Sequence, residues 1–318
     1  MAAVYGKPTV TPNLVLNPER AAMKLQRAMR GIGTDEKVLI DILGGCANFQ
    51  RQEIKKKYKT MYGRELSEDL TAELGGNFED VCLALLNPTS EYLADCLHAA
   101  MKGLGTDEWC IVDIMCTHKN HEIAAIKNLY QEKYKNDLET DLKDDLSGDF
   151  KDLIRSLVSC GRDETIEIDD EQATEDANQL KEAGVGRLGT DESFFNSILA
   201  AKSYGQLQLI FEKYKELTES DLEEDLAKEF SGDVLNGYTA IVKSIKDIHG
   251  YYAERLHDIM KGPGTDDTSL IRIIVSRAEL DLQSIKEKYR DMYGKELAEA
   301  VADDTSGDYR KLLLKIIG

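Results

Sequence analysis

The stretch Met29-Arg30-Gly31-Ile32-Gly33-Thr34-Asp35 recurs as Met101-Lys102-Gly103-Leu104-Gly105-Thr106-Asp107 and as Met260-Lys261-Gly262-Pro263-Gly264-Thr265-Asp266. A variant, Gly184-Val185-Gly186-Arg187-Leu188-Gly189-Thr190-Asp191, stands between them. A chain that carries one loop four times is expected to fold as four related units, because repeated sequence specifies repeated structure. With the Gly of each Gly-Thr-Asp as origin, the copies begin at Gly33, Gly105, Gly189 and Gly264, separated by 72, 84 and 75 residues. The register holds inside each copy. Ten residues on lies Leu43, Met115, Leu199 or Ile274, and twenty-five on lies Tyr58, Tyr130, Tyr214 or Tyr289. Forty on lies an acid, Glu73, Asp145, Glu229 or Asp304, and three beyond it a glycine, Gly76, Gly148, Gly232 or Gly307.

The periodicity inside each copy is helical. Leu39/Ile42/Leu43, Ile111/Ile114/Met115, Phe195/Ile198/Leu199 and Leu270/Ile273/Ile274 fall at i, i+3, i+4, one face of a helix. Strand alternation between hairpin turns is absent, which predicts an all-α chain of about five short helices per copy. The Thr and acids after each loop predict a helix start capped by the hydroxyl. The Ser-Gly-Asp triplets after the distant acids predict a glycine stop and then a new N-cap. The expected division is a tail at 1–17, repeats at 18–87 and 88–160, an acidic linker at 161–172, and repeats at 173–246 and 247–318. That linker is expected to be a solvated connector separating copies 1 and 2 from copies 3 and 4.

Composition then excludes several classes. The formal net charge of -19 repels nucleic acid, and it repels anionic lipid unless cations intervene. No apolar run reaches the length of a membrane span, and the first residues lack the pattern of a secretory signal, so the expectation is a cytoplasmic protein with reduced cysteines. Gly184-x-Gly186-x-x-Gly189 matches the dinucleotide fingerprint, but no strand precedes it. Cys116, His118 and His121 lack a fourth ligand at zinc spacing. No nucleophile and base stand out, so no enzyme activity is expected.

The distant acid is expected at a helix C-terminus, where it opposes the macrodipole by a few tenths of a kcal/mol to about 1. A fault repeated four times, in register with a glycine-rich loop, points to a cation that corrects it. Glycines let several carbonyls turn toward one centre, and calcium accepts six to eight oxygens from carbonyls, carboxylates and waters. One carboxylate per site predicts weak intrinsic affinity, roughly 10⁻⁴ to 10⁻³ M, so another ligand must complete the shell.

The loop with an acid forty residues after its second glycine resembles the calcium-site pattern of the annexins, over residues 18 to 318. The resemblance implies four five-helix repeats in a curved disc, with calcium bridging to anionic phospholipid head groups. It implies a first site from the carbonyls of Met29, Gly31 and Gly33 with Glu73. A second follows from Met101, Gly103 and Gly105 with Asp145, and a fourth from Met260, Gly262 and Gly264 with Asp304. The third loop, taken as longer, would use Gly184, Arg187 and Gly189 with Glu229, and Leu188 would reach the bilayer interface. In annexins the positions of Arg272 and Arg277 line a central channel; buried ion pairing is the expected role here. The resulting picture is a cytoplasmic protein, peripheral at membranes when calcium rises. It leaves open self-association on the membrane and a partner for the tail. The alternative is a calcium-independent helical-repeat scaffold whose acidic surface binds a basic protein partner.

Overall fold

A computed structural model describes residues 6–31, 33–184, 192–262 and 264–318. Among these residues every regular element is an α-helix. Copy 1 runs Pro18–Ala28, Glu36–Leu43, Asn48–Tyr62, Leu66–Glu73 and Gly76–Leu86, and copy 2 runs Thr89–Ala100, Glu108–Met115, Asn120–Tyr134, Leu138–Asp145 and Gly148–Val158. Copy 3 begins Asp170–Gly184, Glu192–Leu199, Tyr204–Thr218 and Leu222–Glu229. Its fifth helix and the first of copy 4 form one stretch, Gly232–Ile259, broken at Asp247, where φ is -157° and ψ is 91°. The Asp247 carboxylate accepts from the Gly250 amide at 3.0 Å, capping the second segment as an independent start. Asp267–Arg277, Leu282–Tyr293, Leu297–Asp304 and Gly307–Ile317 complete copy 4, so five helices per copy is the observed plan.

The expected faces are the buried ones. Leu39, Leu43, Ile111, Met115, Leu199, Leu270 and Ile274 have no exposed surface, and only Ile42 is half-buried. The four landmark tyrosines are also buried.

Two compact units form, Met1–Tyr92 with Tyr252–Gly318 and Leu93–Tyr251. Copies 1 and 4 therefore share one unit, and copies 2 and 3 share the other. The expected partition at the acidic linker is wrong, because the linker lies wholly within the second unit. One of its residues is buried: Arg162 donates to the carbonyls of Leu199 and Lys202, both at 2.8 Å, and lies over the Tyr204 ring. In the first unit Arg51 holds the carbonyls of Leu43 and Cys46 and pairs with Glu279 at 2.6 Å, joining copy 1 to copy 4. The tail is docked on the same unit. The amides of Thr9 and Val10 donate to the Ala278 carbonyl at 2.9 and 3.0 Å, and Val10 is buried.

Two local expectations are corrected. The glycine of each Ser-Gly-Asp triplet does not stop a helix. Gly148, with φ of +59°, is the first residue of the fifth helix, as are its counterparts, and Ser147 makes no side-chain cap. Thr34, Thr106 and Thr265 are not caps either. Asp35, Asp107 and Asp266 cap the second helices, accepting from the amides of Val38, Cys110 and Ser269.

Candidate metal centres

Each described loop is seven residues between the first and second helices of its copy, and is closed at its base by one main-chain bond. The Asp35 amide donates to the Ala28 carbonyl at 2.9 Å, the Asp107 amide to that of Ala100 at 2.9 Å, and the Asp266 amide to that of Ile259 at 3.3 Å. Inside this closure the chain takes positive φ twice. The values are +110° at Gly103 and +96° at Gly105, with the same pattern at Gly31 and Gly33 and at Gly262 and Gly264. Only glycine adopts this conformation without strain. Among the described residues, no hydrogen bond is donated to the carbonyls of the first, third or fifth loop position in these copies. Each of these loops thus carries three carbonyl oxygens that accept no hydrogen bond among the described residues.

The distant acids come to the loops. Glu73, Asp145, Glu229 and Asp304 are each the last residue of the fourth helix. Met29, Gly31 and Glu73 line one cavity of about 270 Å³, shared with Arg30 and Arg64. Met260 and Asp304 line another of about 200 Å³, beside His257 and Tyr293. In the second copy Thr106 Oγ1 donates to Asp145 Oδ2 at 2.6 Å. The first-copy bond, from Thr34 Oγ1 to Glu73 Oε2, is 3.5 Å, and Thr265 Oγ1 donates to Asp304 Oδ2. These threonine bonds were not foreseen from the sequence; their signal was the invariant Thr beside an Asp that is the better cap.

In the third copy, Gly184 is the last residue of the first helix and buried, with its Cβ direction 3.9 Å from Glu229 Cγ. It occupies the place of Ala28, Ala100 and Ile259, whose carbonyls close their loops. Gly184 thus stands one position before the counterpart of Met29, Met101 and Met260, and lies beside Glu229. The third connection is also no longer than the others, since 185–191 is seven residues between helices. Arg187, Leu188 and Gly189 lie outside the described residues.

What holds the acids in place is a further feature that the sequence reading missed. Tyr58, Tyr130 and Tyr214 donate to Asp69 (2.5 Å), Asp141 (2.7 Å) and Asp225 (2.8 Å), each one turn before the distant acid on the same helix. Burial, then these bonds to carboxylates, hold all three phenols well above their usual range. In the fourth copy the acid is replaced by Ala300. The offset from landmark tyrosine to acid, eleven residues in three copies, was the available signal.

The electrostatics single out the fourth helices. A lysine from the third helix meets the end of the fifth in three copies: Lys55, Lys127 and Lys286 donate to the carbonyls of Leu86 (3.0 Å), Val158 (2.8 Å) and Ile317 (2.8 Å). A cation there is the expected complement of the helix dipole. The fourth helices end instead on acids, and among the described residues no Lys or Arg pairs with Glu73, Asp145 or Asp304. The donor set is all oxygen, one carboxylate and several carbonyls, which suits a hard cation of calcium's size and flexibility. By contrast, Cys116 is a core thiol raised by burial, and His118 Nδ1 lies 2.9 Å from the Ile114 carbonyl. Arg277 pairs with Asp281 and lies over the Tyr252 ring, an ion pair inside its own unit.

Four five-helix copies, three of them with a described glycine loop beside the acid that ends the fourth helix, define an all-α helical-repeat protein. The chain belongs to the annexin family, whose sequence pattern matches residues 20–85, 92–157, 175–241 and 251–316. Annexins are in general non-enzymatic proteins that bind phospholipid in a calcium-dependent way, cytosolic and moving to membranes with calcium. Human annexin A13 is 48% identical over 299 residues, covering 94% of this chain and 95% of its own length. Human annexin A7 is 45% identical over 310 residues, 98% of this chain and 64% of its own length. Among solved structures, annexin III superposes with a TM-score of 0.96 at 39% identity, covering 100% of this chain and 99% of its own. Calcium-bound annexin (Sm)1 does so with a TM-score of 0.86 at 34% identity, over 99% and 93%. No helix among the described residues is long and apolar enough to cross a membrane.

Proposed function

We propose that this chain binds calcium at its loop-and-acid centres and, through that calcium, anionic phospholipid. The observation that carries the reading is the arrival of Glu73, Asp145 and Asp304 at loops whose carbonyls are otherwise unused. The first centre would be held by the carbonyls of Met29, Gly31 and Gly33 with Glu73. The second would use Met101, Gly103 and Gly105 with Asp145, and the fourth Met260, Gly262 and Gly264 with Asp304. For the third, the register supports the carbonyls of Val185, Arg187 and Gly189 with Glu229, in place of Gly184. Calcium there would supply positive charge at the negative end of a helix and leave coordination positions for a phosphate oxygen.

Linkage then follows. Lipid that completes the calcium shell raises calcium affinity by the factor by which calcium raises lipid affinity. Sedimentation with phosphatidylserine vesicles tests the reading: binding is expected with calcium and absent with a chelator. Equal binding in both would sink it and favour the calcium-independent scaffold.

A further inference from the structure

The threonine of each described loop has a different job from the one its position suggests. It precedes a helix, where a hydroxyl ordinarily caps the free amides, but Asp35, Asp107 and Asp266 take that role. The hydroxyl is thereby released to reach a residue 39 positions away. In the second copy it donates to Asp145 Oδ2 at 2.6 Å, and in the first the contact with Glu73 is 3.5 Å, at the limit of a bond. In the fourth, Thr265 Oγ1 shares its proton between Asp304 Oδ2 and the Asp304 main-chain carbonyl at 3.2 Å. That copy is also the one whose landmark tyrosine has Ala300, not an aspartate, opposite it.

We propose that Thr106 and Thr265, and to a smaller degree Thr34, are positioning residues that hold the calcium carboxylates toward their loops. This rests on the calcium reading given above. A carboxylate has about four lone-pair sites, so one accepted bond leaves the rest for a cation while fixing the side chain's rotamer. A hydroxyl does this without adding charge, whereas a lysine or arginine there would compete with the cation. Partners that orient a metal ligand typically contribute about 10–100-fold in metal affinity.

The chain supplies its own reporter. Trp109 is its single tryptophan and lies four residues beyond Gly105, next to the second loop. Terbium is a hard oxygen-seeking cation whose emission is sensitised by a nearby indole, so tryptophan-excited terbium luminescence of the full chain, displaced by added calcium, reads this centre. Thr106→Val is expected to raise the terbium midpoint by about 10–100-fold. Thr106→Ser should stay within about threefold of the parent, because a serine hydroxyl reaches the same oxygen. A Thr106→Val midpoint equal to or tighter than the parent overturns the proposal. So does equal weakening in Thr106→Val and Thr106→Ser, which would make the effect one of packing. Absence of any calcium-displaceable signal in the parent would instead overturn the calcium reading itself.

Discussion

At the scale of the residue, Gly103 and Gly105 serve the second loop through backbone alone. A Cβ at either position meets nothing within 4 Å, so crowding plays no part in a substitution there. Gly105→Ala should therefore cost only the strain of positive φ, about 1 kcal/mol. It is expected to lower the melting temperature by a few degrees and to weaken terbium binding at the second centre. An unchanged terbium midpoint would show that this carbonyl is not a ligand. Between these glycines Leu104 is fully exposed. An apolar side chain at the tip of a lipid-binding loop gains about 1.5–3 kcal/mol if it is buried. Leu104→Asn is thus expected to raise the calcium needed for vesicle binding while leaving terbium binding without lipid unchanged. The sequence displayed these loops because glycine spacing survives in the letters. It did not display the threonine bonds, since Thr and Asp both favour N-caps and only the folded geometry decides between them.

At the scale of the element, the fourth helix brings Glu73, Asp145 and Asp304 to their loops, and in copies 1, 2 and 3 a tyrosine bond holds that helix. Tyr130→Phe removes the donor to Asp141 and keeps the buried ring. Chemical denaturation should show a loss of about 1–3 kcal/mol, as expected when a carboxylate loses its partner. The third copy adds a pH signature. Burial pushes the Asp225 carboxyl up, but bonds from Lys228, Tyr214 and Ser220 outweigh it and leave it below the usual carboxylate range. A depressed folded value stabilises above the unfolded pKa near 3.9 and loses that stabilisation as pH falls through the lower folded value. The stability gap between the parent and Tyr214→Phe should accordingly be constant near neutral pH and close below about pH 4. A gap that persists in acid would mean that the hydroxyl acts through packing alone. Helix number and helix faces were legible, because buried positions repeat at i, i+3, i+4. The helix boundaries at Gly76, Gly148, Gly232 and Gly307 were not. A glycine with positive φ reads alike at the end of one helix and the start of the next.

At the scale of the whole molecule, the governing quantity is charge. A chain of net charge -19 is repelled by an anionic leaflet, and calcium at the proposed centres would reverse that locally. If the centres act together, each adds avidity. Glu73→Ala alone is then expected to shift vesicle binding to higher calcium without abolishing it. The pairing of copies into compact units was illegible, because sequence neighbours need not be packing neighbours. Arg51 with Glu279 joins copy 1 to copy 4, and no local pattern announces a partner 228 residues away. The acidic linker misled for a related reason, since its composition reads as a boundary while Arg162 buries itself against copy 3. The central claim is tested most directly by a calcium titration of phosphatidylserine vesicle binding. The parent is to be compared with the variant in which Glu73, Asp145, Glu229 and Asp304 are all alanine. The account predicts saturable, calcium-dependent binding in the parent and its loss in the variant at the same calcium concentrations; identical curves for the two proteins would contradict it.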